Sequence, residues 1–159
     1  MRGSPEQSIL MPEERAALLL RKYRADFDPF RPYHEARLYA LLADGATLLS
    51  TTVLRDGVAE PERWTLVIGQ GLTGMAAITG APNLHHDAHR NPRSAYGNPA
   101  SYQAMGDQVM IAPIKSPNAN IPAVGVLFLN RLGPTWWPAR TYAAFLNLAE
   151  GIARDWFRS

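Results

Sequence analysis

The chain has 159 residues, 47% of them hydrophobic and 19% charged, a balance that supports one buried core and excludes wholesale disorder. Sixteen basic against fourteen acidic residues leave a net charge of +2, too small an excess to argue for a nucleic-acid partner. Cysteine is absent, which excludes disulfides, thiolate metal sites, thiol nucleophiles and thioether-linked cofactors together.

Residues 1–12 read as an N-terminal leader, in which Met1-Arg2-Gly3-Ser4 matches a vector-derived start, and 13–159 as a single domain. No basic-then-apolar leader opens the chain, and no apolar run approaches the roughly 18 residues that span a bilayer. The expectation is a cytoplasmic protein with no membrane partner.

A helix is predicted from Glu13, where Glu13 and Glu14 suit the positive end of the helix dipole. Ala16, Leu19, Leu20, Tyr23 and Phe27 continue it at three-to-four spacing, until Pro29 and Pro32 stop it. Strands follow at about Glu35–Leu42 and Thr47–Arg55, joined around Asp44-Gly45 as an antiparallel hairpin. Asp56–Glu62 reads as a loop and Trp64–Ile68 as a third, short strand. A short helix at about Leu72–Thr79 ends at Gly80-Ala81-Pro82.

Gly80–Gly106 is rich in Gly, Pro, Asn, His and Ser, with only Pro82–Asp87 reading as extended. A stretch this long without regular structure is uncommon unless it has a task. Gln108–Ile114 and Ala123–Asn130 form a second hairpin, the latter apolar almost throughout, as suits a strand covered on both faces. Ala139–Phe157 closes the chain as an amphipathic helix with Phe145, Leu148, Ala149, Ile152 and Trp156 on one face. Strands grouped between helices, without strict alternation, give an α+β class with an antiparallel sheet.

Gly69-Gln70-Gly71-Leu72-Thr73-Gly74 matches G-x-G-x-x-G, but the following helix is short and the flanking βαβ units of a dinucleotide fold are missing. The glycines instead suit a tight strand-to-helix corner. This run continues through Met75-Ala76-Ala77, Gly80 and Pro82, then Asp87-Ala88 and Asn91-Pro92-Arg93. Together with Met110-Ile111-Ala112-Pro113-Ile114, Ala123–Asn130 and the closing helix, it resembles the signature of GAF domains, from about Arg24 to the C-terminus.

The resemblance implies a central antiparallel sheet of about six strands flanked by N- and C-terminal helices. It also implies a small-molecule pocket beneath the irregular segment. The candidate lining is Trp64, His86, Asp87, Arg93, Tyr96, Tyr102, Met110 and Ala112. Arg93 suits a carboxylate or phosphate, and the tyrosines are rigid aromatics with a polar tip.

Enzymatic work is not expected. One branch of the GAF family reduces free methionine sulfoxide with pocket cysteines, which this chain lacks. Ser94 or Ser101 with a histidine has no elbow motif to support a hydrolytic triad. His85, His86 and His89 beside Asp87 are candidate ligands for a metal or haem iron, although alternation along a strand would send His85 and His86 to opposite sides. Cyclic-nucleotide-binding members carry an acidic pair where Thr141-Tyr142 stand, which argues against that ligand.

The cofactor stays unassigned. The expected function is a sensory or regulatory module that binds a small molecule and signals through its terminal helices to an output-domain or kinase partner. A ligand-free module used for homodimerisation and a haem- or metal-containing sensor are the alternatives.

Overall fold

The computed structural model describes residues 9–85, 108–115, 123–132 and 137–158. Helix α1 (Pro12–Lys22) begins with Pro at its first turn, and the Glu14 carboxylate accepts the Met11 N–H at 2.9 Å. It buries Ala16, Leu19 and Leu20. The periodicity predicts one helix through Phe27, but the α-helix ends at Lys22 and Arg24–Phe30 winds as a tighter 3-10 turn. In that winding residues three apart eclipse, so Phe27 and Phe30 both point inward and both are buried.

Strands β1 (Glu35–Leu41) and β2 (Thr47–Arg55) form the expected hairpin. Asp44 Oδ1 accepts the N–H groups of Ala46 and Thr47, each at 2.9 Å, which fixes the turn. The predicted loop over Asp56–Glu62 is corrected: β3 runs from Val58 to Val67. Asp56 and Gly57 both take positive φ, 47° and 98°, and close a two-residue hairpin whose twist matches its strands. Pro61 is tolerated because β3 is, among the described residues, an edge strand with no ladder bond to lose on its outer side.

Helix α2 (Gly71–Thr79) follows the glycine corner. A Cβ on Gly74 would lie 2.6 Å from the Val67 carbonyl oxygen, so only glycine lets the helix start so close to the strand. Gly80, at φ 69°, ends α2 in the left-handed conformation. Strand β4 (Asn83–His85), β5 (Gln108–Ile114), β6 (Gly125–Arg131) and α3 (Ala139–Trp156) complete the described elements. Among the described residues, no helix is long and apolar enough to cross a membrane.

The six strands lie in the order β3-β2-β1-β6-β5-β4, every neighbouring pair antiparallel. Alternation divides their side chains between two faces. Ala36, Leu38, Met110, Ala112, Leu127 and Leu129 pack with α1 and α3, together with Phe145, Ile152 and Trp156. Tyr39, Leu48, Val109, Ile111, Val126 and Phe128 pack on the other side with Leu72, Ala76 and Ala77 of α2. The architecture is α+β, an antiparallel sheet between helices, as expected.

Candidate functional site

The face beneath α1 and α3 is mainly apolar, its buried Gln108 being uncharged, whereas the α2 face carries an ionic cluster built on the buried Arg37 and Glu35. Along β1, Glu35 and Arg37 share the side of Tyr39, so alternation sends both to the α2 face. Arg37 is 2% exposed and Glu35 8%. A guanidinium this deep must be paired, because an uncompensated buried charge costs several kcal/mol.

Arg37 is surrounded on every side. Its Nη2 donates to Glu62 Oε1, and its Nη1 donates to the Glu62 carbonyl oxygen at 3.3 Å and to Ser50 Oγ at 3.4 Å. Nε faces Glu35 Oε1 at 3.5 Å, and the guanidinium lies 5.9 Å from the Trp64 ring centre, within cation–π range. Arg55, two residues past Val53 on the same face, donates to the other Glu62 oxygen, Oε2. It also meets Glu60 at 3.2 Å and Glu35 at 3.6 Å. Burial alone would raise the Glu62 pKa; the Arg37 charge and the Arg55 hydrogen bond outweigh it and hold the carboxyl below its ordinary range.

Glu62 reaches both arginines because of a register shift. Ser50 pairs with Trp64 and Thr52 with Pro61, so Thr51 alone lies opposite both Glu62 and Arg63. Such a bulge re-aims the side chains around it. Asn130, fully buried on the same face, accepts the Glu35 N–H at 2.8 Å and ties the cluster to β6.

The three expected site residues that are described, Trp64, Met110 and Ala112, do not share one face of the sheet. Trp64 is on edge strand β3, 41% exposed and against Arg37. Met110 and Ala112 lie on β5 with their side chains on the opposite face, under α1 and α3. Grouping them with Trp64 is therefore corrected by the alternation of β5, which sends Val109 and Ile111, rather than Met110 and Ala112, to the α2 face. Ala112 borders a separate cleft of about 200 Å³ between β5 and α3, with Pro82, Lys115, Leu146 and Glu150.

His85 is half-buried on β4 opposite Val109, hence on the α2 face. His86, Asp87, His89, Arg93, Tyr96 and Tyr102 lie outside the described residues. Among the described residues, no group of three or more His, Asp or Glu is arranged to hold a metal ion. The sequence reading missed Glu35, Arg37, Arg55 and Glu62. The signal available was β1 itself, where Glu35, Arg37 and Tyr39 alternate with Ala36, Leu38 and Ala40.

No protein-family model matches the sequence, and no curated protein matches it. Solved structures do. The GAF domain of an Acinetobacter phosphoenolpyruvate-protein phosphotransferase superimposes with a TM-score of 0.67 at 15% identity, over 94% of this chain and 84% of that one. Residues 122 to 287 of a methyl-accepting chemotaxis protein give 0.68 at 14% identity, over 87% of each chain. The GAF-B domain of DevS from Mycobacterium smegmatis gives 0.64 at 16% identity, over 89% of this chain and 92% of that one. The six-stranded antiparallel sheet, with α1 and α3 on one face and α2 on the other, is the architecture that these comparisons identify: this chain has the fold of a GAF domain.

Proposed function

We propose that this chain is a sensory or regulatory domain that binds a small molecule on the α2 face of its sheet, beneath the 80–106 segment, and passes occupancy to an output-domain or kinase partner through its terminal helices. The observation that carries this reading is the asymmetry of the sheet. One face is sealed by α1 and α3 over mainly apolar side chains, and the other holds a cluster of five charged residues that includes the buried Arg37 guanidinium. Buried ionic networks add little net stability over an apolar core of the same volume, so their presence on one face only favours a recognition task.

The solved neighbours add support, since one is named as part of a chemotaxis protein and another as part of a phosphotransferase. Signalling through the helices would use α1 and α3, which pack together at the face opposite the cluster. The reading places the domain in the cytoplasm and makes it a homodimer through those helices. Leu18, 56% exposed on α1 and bordering a groove with Lys22, Asp155 and Arg158, favours that contact.

Native mass spectrometry of freshly purified protein, beside a denaturing spectrum, tests the proposal. The expected result is extra mass that vanishes on denaturation, or a thermal shift with at least one compound of a metabolite set. A bare mass together with no shift for any compound overturns it in favour of a ligand-free dimerisation module.

A further inference from the structure

The two arginines of the α2 face are arranged around a carboxylate that belongs to the chain itself. Arg37 Nη2 holds one oxygen of Glu62 and Arg55 Nη2 holds the other, one charge-assisted hydrogen bond from each guanidinium. We propose that this pair is a binding fork for a small carboxylic acid, and that Glu62 fills it as a built-in stand-in which the ligand displaces. The inference rests on reading the α2 face as the ligand face, and it names the chemical class that face takes.

Three features make Glu62 the displaceable member. Its side chain is 38% exposed, whereas that of Arg37 is 2% exposed, so the glutamate can swing into water while the arginine cannot. It stands on β3, which among the described residues is an edge strand paired with β2 alone. It also occupies the bulge where Thr51 faces two residues, so the backbone there is free of regular ladder pairing. The rest of the fork is held in place by Ser50, Glu35 and the Trp64 ring, which do not depend on Glu62.

Charge balance supports a carboxylate. When one carboxylate leaves the two guanidiniums and another enters, no buried charge is left unpaired. A doubly charged phosphate is disfavoured, because Glu35 already lies 3.5 Å from Arg37 and 3.6 Å from Arg55 and would face the second negative charge.

The test is an NMR titration of the full chain, following the arginine Nε–H and tryptophan Nε1–H signals, with acetate and separately with inorganic phosphate. In the wild type, acetate is expected to shift Arg37, Arg55 and Trp64. In Glu62→Gln, which keeps the shape but removes the competing charge, the acetate Kd is expected to fall about tenfold. Arg55→Met, at a side chain 35% exposed, should abolish the acetate response while the Trp137 signal reports an intact fold.

An acetate affinity that Glu62→Gln leaves unchanged overturns the proposal, as does tighter binding of phosphate than of acetate. Uncharged or cationic compounds that shift Trp64 in both proteins, with acetate silent, overturn the carboxylate assignment while the small-molecule reading stands. Silence of Arg37, Arg55 and Trp64 toward acetate in both proteins overturns the proposal, and the small-molecule reading falls with it only if the native mass is also bare and no compound gives a thermal shift.

Discussion

Tyr23, at the end of α1, donates its phenolic proton to Asp155 Oδ2 on α3 at 2.6 Å. The same carboxylate accepts from Lys22 at 2.8 Å and meets Arg158 at 2.9 Å, so one acid on the last helix gathers three partners, two of them at the C-terminal end of α1. The two terminal helices are thereby tied by polar contacts at the edge of an otherwise apolar seam.

That junction predicts stability loss at both ends of the pH scale. Burial first, then the hydrogen bond to Asp155, pushes the Tyr23 pKa from 10.0 up to about 12. A raised folded-state pKa stabilises fully below 10.0, and the contribution disappears as pH climbs through about 12. The Lys22 hydrogen bond, then that from Tyr23, lowers Asp155 below 3.8, so its contribution is present above that pH and lost as acid protonates it. Tyr23→Phe should cost about 1 kcal/mol at neutral pH and flatten the alkaline limb in urea unfolding at several pH values. An unaltered alkaline limb would refute the assignment.

Phe145 anchors α3 to the 3-10 turn. It is fully buried, with its ring edge-on to Phe30 at 6.1 Å and 84°. Phe145→Ala removes that contact and leaves a cavity, so a loss of about 3–5 kcal/mol is expected by denaturant unfolding. Phe145→Leu should cost clearly less, because most of the volume is kept.

Two glycines should respond for different reasons. A Cβ on Gly125 would clash with the Tyr39 carbonyl oxygen, where β6 passes β1, and lie 3.3 Å from the Trp156 ring. Gly125→Ala is expected to cost about 2 kcal/mol or more, measured by urea midpoint. At Gly80 nothing lies within 4 Å of an added Cβ, and only the φ of 69° opposes substitution. Gly80→Ala should therefore cost about 1 kcal/mol, and Gly80→Asn less, since asparagine tolerates the left-handed region.

Arg37 and Arg55 should differ sharply in their tolerance. Arg37→Met leaves Glu35, 8% exposed, with less compensation, and a large fall in melting temperature is expected. Arg55→Met, at a side chain 35% exposed, should leave the melting temperature within a few degrees. Equal effects in thermal unfolding would contradict the burial difference on which the fork depends.

The elements were legible in the residues. Three-to-four spacing marked α1 and α3, β-rich and almost continuously apolar runs marked the central strands, and the Gly69–Gly80 pattern marked the corner and the end of α2. Local signals sufficed there because each element's apolar stripe and turn chemistry are set by near neighbours in the chain. They failed at Asp56–Glu62, where polar residues and Pro61 suggested a loop although an edge strand accepts both. They failed again after Lys22, where packing of Phe27 and Phe30 selected the tighter winding.

The site was decided at a longer range. Arg37 and Glu62 are 25 residues apart, and β2 runs between their strands. Only the sheet order, the face selected by alternation and the bulge opposite Thr51 bring them together. Composition and periodicity are properties of short segments and so determined the class of fold. Register and facing are properties of strand pairs, and they alone decided that two arginines and one glutamate meet on the α2 face while Met110 and Ala112 turn to the other.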